Sequence, residues 1–305
     1  MPESDQDERL PAILGAAGQQ LERLLAAPVP AGLHLVATPI GNLGDITFRA
    51  VAMLANADIV YCEDTRQSQK LLDRYGIRRA LRSYHEHNAE AERPRILEAL
   101  ARGKSVALIS DAGTPLVSDP GYKLVREAVE AGLAVTALPG PSAVLAALTV
   151  AGLPTDSFHF GGFLPARQGQ RRERIEALRS IPVTLVLFEA PQRLGEALAD
   201  LSELLGDRPA AVARELTKLH EEAVRGRLAE LAMRYREAEP KGECVIVIGA
   251  GEAEAVDDEQ VSALLADALM TMRTKDAVDA VAEHLGVPKK RVYALAIARR
   301  AGDET

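Results

Sequence analysis

The chain lacks tryptophan, and aromatic residues make up only 4% of its 305 positions. That excludes a broad platform of rings on which many bases stack. Cysteine is nearly absent. Cys62 and Cys244 lie far apart, each in an apolar run (IVYC and ECVIVIG), and read as reduced core residues. No Cys/His spacing resembles a zinc site, and the HxH at 85–87 is too weak to suggest one, so no metal is expected. No run approaches about 18 uninterrupted apolar residues, so no membrane span is expected. The start, MPESDQDERL, is acidic and unlike a secretory signal. Neither GxGxxG nor GxxxxGK[ST] occurs, which disfavours NAD dehydrogenases and P-loop NTPases. A cytoplasmic protein is expected.

A positive net charge is also missing. Lys and Arg number 36 against 44 Asp and Glu, a net charge of -8, which at first argues against a nucleic-acid partner. By segment the balance is -3 for residues 1–31, -1 for 32–250 and -4 for 251–305. The acidity therefore sits in the two ends. Inside the middle, 66–82 carries +5 through Arg66, Lys70, Arg74, Arg78, Arg79 and Arg82 against Asp73. Residues 167–179 carry +3, with Arg167, Arg171, Arg172, Arg174 and Arg179. Arg66, Lys70 and Arg74 are spaced to share one helix face, where like charges repel until a polyanion relieves them. The two runs are candidate RNA-binding surfaces; the alternative is a solvated charged face.

What is present is ordinary globular composition, 47% apolar and 26% charged, with length enough for two cored domains. Residues 1–31 read as a flexible N-terminal extension with transient helix. From 33, short apolar runs alternate with amphipathic segments: strands at 33–37, 57–62, 105–110 and 134–138, the pattern of βα units in a parallel sheet. FHFGGFLPA marks a boundary, giving α/β domains over 32–158 and 159–250. The second has strands at 183–188, 209–216 and 243–249, some of them expected to pair antiparallel. The remainder, 251–305, reads as a helical, helix-turn-helix-like extension. Lys289, Lys290 and Arg291 open its last helix, where nucleic-acid contacts would fall. A packing or dimer element is the equal alternative.

Three strands of the first block end in loops rich in glycine and proline: TPIGNLGD (38–45), DAGTPLVSDPG (111–121) and PGPSA (139–143). Ligands of a parallel sheet collect beyond the carboxyl ends of its strands, so three such loops predict a small-molecule pocket built largely from backbone.

VATPIGNLGDITFRA (36–50), CEDTRQSQKLL (62–72), SYHEHN (83–88), SDAGTPLVSDPGYKLV (110–125) and LPGPSAVLAALTVAGLP (138–154) follow one another in order. GFLPARQGQRRERIEAL (162–178), FEAPQRL (188–194) and ARELTKLHEEAVRG (213–226) continue the series. Together they resemble the tetrapyrrole-methylase (class III) superfamily of S-adenosylmethionine enzymes. Within it they are similar to bacterial enzymes that 2′-O-methylate a cytidine ribose of small-subunit (16S) ribosomal RNA. The resemblance covers roughly 33–250. It implies a homodimer of two-domain α/β chains, with S-adenosylmethionine in the cleft between the domains. By position it implies a donor pocket of Pro39 and Ile40, then Asp111, Thr114, Pro115 and Ser118, then Pro139, Ser142 and Ala143. Phe188, Glu189, Ala211, Val212, Ala213, Lys241 and Gly242 would close it. Where the usual string is YESPH, this chain has Phe188, Ala190 and Gln192.

Methyl transfer to a hydroxyl rests mainly on alignment, with help from a base. The acids best placed for that role are Glu63 and Asp64, directly after a strand, and Glu86, between two histidines. Asp64 could instead simply cap the helix that follows. Two further readings stand beside this one. One is a methylase of the same superfamily acting on a tetrapyrrole or a protein. The other is a non-catalytic RNA-binding factor of ribosome assembly.

Overall fold

The computed structural model describes residues 4–237, 240–251, 258–285 and 287–303. It divides into two compact units, 1–178 with 183–249, and 179–182 with 250–305.

The first unit holds two five-stranded sheets. The first sheet contains β1 (Gly32–Val36), β2 (Ile59–Cys62), β3 (Leu81–Ser83), β4 (Ser105–Ile109) and β5 (Val135–Leu138), in the order β3-β2-β4-β1-β5. Every pair in it is parallel. Parallel strands are covered on both faces and so need continuous apolar runs; SVALI of β4 is buried throughout. One face packs Val36, Val60, Ala107 and Ile109 with Val51 and Leu54 of the next helix. The other packs Leu33, Tyr61, Val106 and Leu108 with Ile96, Leu100, Leu124 and Ala128. From β1 the chain crosses one way to β2, and from β4 it crosses the other way to β5. The strand order thus reverses between β1 and β4.

The second sheet contains β6 (Phe158–Phe163), β7 (Thr184–Glu189), β8 (Pro209–Arg214), β9 (Glu222–Arg227) and β10 (Cys244–Ile248), ordered β6-β7-β10-β8-β9. Only β6 and β7 pair parallel; the other pairs are antiparallel. The segment 158–166, read as a boundary, therefore begins as a strand. The packing changes hands earlier, at the third loop. The helix after β5 (Ala143–Ala151) sets Val144, Ala147, Leu148 and Ala151 against Val186, Ala211, Ala213, Val245 and Val247 of the second sheet.

The N-terminal extension is also corrected: Ser4–Ala26 is one helix. Its Leu21 packs on the core of the first sheet, and Asn56 Nδ2 donates to Leu25 O at 2.7 Å. Leu10, Ile13 and Leu14 remain exposed.

Among its described residues the second unit has three helices, Asp258–Leu269, Thr274–Leu285 and Lys289–Asp303. Val261, Leu265, Ala277, Val281, Val292 and Ala296 form its core. Lys289 pairs with Asp279 and Arg291 with Asp258, each at 2.7 Å, so two of the three basic residues at 289–291 are engaged within the unit. Among the described residues no helix is long and apolar enough to cross a membrane.

Candidate active site

The carboxyl ends of β1, β2, β4 and β5 are stitched together. Thr38 and Gly113 exchange backbone hydrogen bonds of 2.9 and 3.0 Å, an isolated antiparallel bridge between the first and second loops. Thr38 Oγ1 adds a bond of 3.0 Å to Ser110 O. Gly113 has φ +79°, and a Cβ there would stand 3.2 Å from Ile40, so this position needs glycine. Asp64 N donates to Asp111 Oδ1 at 2.9 Å, which joins the ends of β2 and β4. Thr114 Oγ1 donates to Pro141 O at 3.2 Å and ties the second loop to the third. From the second sheet, Thr217 Oγ1 accepts from Asn42 N at 3.0 Å.

Between these loops and the second sheet lies a cavity of about 400 Å³, a usual size for a small-molecule site. Its apolar wall is Ile40, Val117, Val144, Phe163, Phe188 and Val245. Phe188 meets Phe163 and Phe160 edge to face, with ring centres 5.3 and 4.9 Å apart. Its polar wall includes Ser110, Asp111, Ser118, Asp119, Ser142 and Glu189. The Glu189 side chain is 0% exposed. Its Oε1 accepts from Arg193 Nη2 at 2.6 Å and from Ala190 N at 2.8 Å, while Oε2 is buried with no partner among the described residues. A buried carboxylate oxygen without a donor is costly, so this atom is a place for a ligand N–H or O–H. A larger cavity of about 530 Å³ opens among the helices Gln168–Leu178, Leu194–Leu205 and Leu228–Glu237 and shares Pro191 with the first.

Of the residues expected for a donor pocket, Ile40, Asp111, Thr114, Ser118, Ser142, Ala143, Phe188 and Glu189 meet on this cavity. Pro39 and Pro115 are buried and off its wall, and Pro139 is exposed. Ala211, Val212 and Ala213 are core residues of β8, and Lys241 and Gly242 stand beside the wall residue Glu243. The sequence reading missed Ser110, Asp119, Phe163 and Cys244, although the first two lie in or beside the glycine loop that it singled out. Burial pushes the Cys244 thiol up to about 11, which keeps it protonated and inert.

Glu63 is half-buried, and burial, then the charges of Asp119 and Asp111, push its carboxyl upward. Asp64 serves as the cap of the helix Thr65–Arg74, accepting from Arg66 N at 2.8 Å. The Arg66 side chain holds its carboxyl below the usual range. Glu86 is exposed and off the cavity wall. Arg66 (88% exposed), Lys70 and Arg74 stand on the surface of that helix.

The second basic run is revised. Arg167 is exposed, but the Arg171 side chain is 2% exposed and bonded to Asp200 at 2.7 Å and Glu196 at 3.3 Å. Arg172 pairs with Asp200 at 3.0 Å and Glu203 at 2.6 Å. Arg171 is an internal strut and has no face for RNA.

Comparisons with known proteins agree with this geometry. The model of the tetrapyrrole (corrin/porphyrin) methylases matches residues 32–232, and that of the RsmI C-terminal HTH domain matches 254–300. The chain is 54% identical over 270 residues to the ribosomal RNA small subunit methyltransferase I of Mesorhizobium japonicum, covering 88% of this chain and 92% of that protein. Among solved structures, a diphthine synthase is similar in fold, with TM-score 0.58, 22% identity and coverage of 72% of this chain and 89% of that one. So is a uroporphyrin-III C-methyltransferase from Thermus thermophilus complexed with S-adenosylhomocysteine, with TM-score 0.50, 23% identity and coverage of 72% and 97%.

Proposed function

Since this chain belongs to the tetrapyrrole (corrin/porphyrin) methylase family, we propose that it methylates the ribose 2′-hydroxyl of a cytidine in small-subunit ribosomal RNA. The methyl donor is S-adenosylmethionine. The observation that carries the reading is the cavity at the reversal of the first sheet, with its aromatic wall and the unpartnered Glu189 Oε2. That wall suits a flat heteroaromatic ring, and the carboxylates of Asp111 and Glu189 suit the donor's hydroxyl and ammonium groups. Bound there, S-adenosylmethionine supplies a methyl group on a positively charged sulfur. Glu189 accepts from the ligand, Phe163 and Phe188 exclude water from one side, and the bridged loops fix the geometry before binding occurs.

Arg66, Lys70 and Arg74 hold RNA phosphates on the helix that leaves the end of β2, and Arg167 adds a fourth cation. Positioning by phosphates without sequence readout fits a site whose target is chosen by RNA shape. The reading includes a homodimer in the cytoplasm; light scattering of the purified protein tests the dimer.

The decisive experiment supplies unmodified small subunits and isotope-labelled methyl donor, then maps the product by nuclease digestion and mass spectrometry. One labelled methyl on a cytidine ribose is the expected result. No transfer, or a methyl on a base, overturns the reading. Transfer to a tetrapyrrole or a protein in parallel incubations would replace the acceptor.

A further inference from the structure

We propose that Asp119 takes the proton from the acceptor hydroxyl, and that Glu63 and His85 hold it in the receptive state. The inference rests on the methyl-transfer reading above.

Four carboxylates line the cavity: Asp111, Asp119, Glu189 and Glu243. Three already have donors. Asp111 accepts from Asp64 N, Glu189 from Arg193 and Ala190 N, and Glu243 from Lys218 at 3.4 Å. Asp119 differs from Glu189 and Glu243 in that no cation pairs with it among the described residues; the Ser110 hydroxyl bonds to it, and, like Glu189 Oε2, its Oδ2 is buried without a partner there. A carboxylate satisfied by donors resists protonation, whereas an unsatisfied buried one favours it. Backbone geometry holds it in place. Leu116 (φ 73°) and Ser118 (φ 64°) both sit in the left-handed region that these residues rarely enter.

The surroundings favour the same role. Along the strand ends the order is His85 after β3, Glu63 after β2, Asp111 and Asp119 after β4, then Ile40 and Ser142. Tyr84 N donates to Cys62 O at 2.8 Å, which sets His85 beside Glu63. His85 is half-buried, with Nδ1 buried and unpartnered among the described residues. In strand order, Ile40 and Ser142 of the cavity wall lie on one side of Asp119, and Glu63, His85 and the basic helix after β2 lie on the other. A ribose whose phosphates rest on Arg66 and Lys70 approaches from that second side.

Burial raises the proton affinity of Asp119. The Ser110 hydroxyl opposes this and the charge of Asp111 adds to it. Glu63 is raised by burial, Asp119, Asp111 and Asp64, with His85 opposing. In the step, the O–H bond breaks and its electron pair stays on the ribose oxygen, which bonds to the methyl carbon. The carbon–sulfur pair remains on sulfur, and the proton passes to Asp119 Oδ2.

The test uses the whole protein with Asp119→Asn, Asp119→Glu, Glu63→Gln and His85→Gln. Asp119→Asn lowers kcat by about 10²–10⁴-fold, with the KM for small subunits and the calorimetric affinity for S-adenosylhomocysteine unchanged. Asp119→Glu restores part of kcat. Glu63→Gln removes a like charge and moves the acid limb of the pH profile to lower pH. His85→Gln removes the group that offsets Glu63 and moves the limb to higher pH. Carbon-13 NMR of the cofactor-free protein shows one carboxyl, absent in Asp119→Asn, titrating above the ordinary aspartate range. Wild-type kcat in Asp119→Asn, a loss confined to KM or cofactor affinity, or an ordinary Asp119 titration overturns the proposal. If the wild type methylates no small-subunit RNA, the functional reading fails, and the NMR titration alone then decides the role of Asp119.

Discussion

Asp200 holds two guanidinium groups at once, Arg171 and Arg172, and is itself only 6% exposed. Removing one partner of a buried pair leaves an uncompensated charge. Asp200→Ala should therefore cost about 3–5 kcal/mol, read by urea denaturation. Asp58 acts at the surface in a different way. Its carboxylate accepts from Ser105 N and Ser105 Oγ, both at 2.8 Å, and from Lys104 at 3.0 Å, and the Ser105 amide above all lowers its pKa from 3.8 to about 2. A depressed carboxyl stabilises the fold fully above its unfolded pKa, and that contribution fades as pH falls from about 4 to about 2. The urea midpoints of wild type and Asp58→Asn should differ at pH 7 and converge near the lower end of that window. With Asp58 39% exposed, the difference stays below about 1 kcal/mol. Neither role was legible beforehand. Charge spacing alone does not distinguish a solvated helix face from one turned onto acids of a neighbouring helix, and Arg171 was misread for that reason.

Helix Thr65–Arg74 is where RNA binding can be tested on one element. Replacing Arg66, Lys70 and Arg74 by Gln should weaken binding to small-subunit RNA and lower its salt slope by about 0.7 for each single-strand phosphate no longer neutralised. Calorimetric binding of S-adenosylhomocysteine should not change, because none of the three lines the cavity. At this scale the sequence was informative wherever burial was two-sided. LHLV, IVYC, SVALI, TLVLF and CVIVI stand out because parallel or central strands need unbroken apolar runs. It was silent at three of the four sheet edges, β5 being the exception. LRS of β3 is three residues long, EAVRGR of β9 is polar on its open side, and FHFGGF of β6 breaks register between Phe160 and Gly162. The glycine pair reads as part of a domain boundary, and in the structure it accommodates an irregularity in the pairing. The loops of the candidate site were legible because glycine and proline mark them. Asp119 was passed over because nothing in SDPG separates a buried acid from a turn residue.

In the whole molecule, every residue lining the cavity belongs to the first unit. A chain ending at Gly249 should therefore fold and bind S-adenosylhomocysteine as the full chain does, by calorimetry and thermal melting. A large drop in affinity would show that the last three helices support the site. Ligand at a hundred times its Kd should stabilise the chain by about 2.7 kcal/mol. How that stabilisation spreads depends on the helix Ala143–Ala151. By connection it ends the first sheet, and by packing it belongs to the second. Its first turn, Ser142 to Val144, is cavity wall, while Ala147, Leu148 and Ala151 sit in the other sheet's core. The helix is thus a lever with one arm in each layer. Occupancy of the cavity should slow amide hydrogen exchange along β8, a strand that contributes no residue to the cavity wall, so the far sheet would register the methyl donor mechanically.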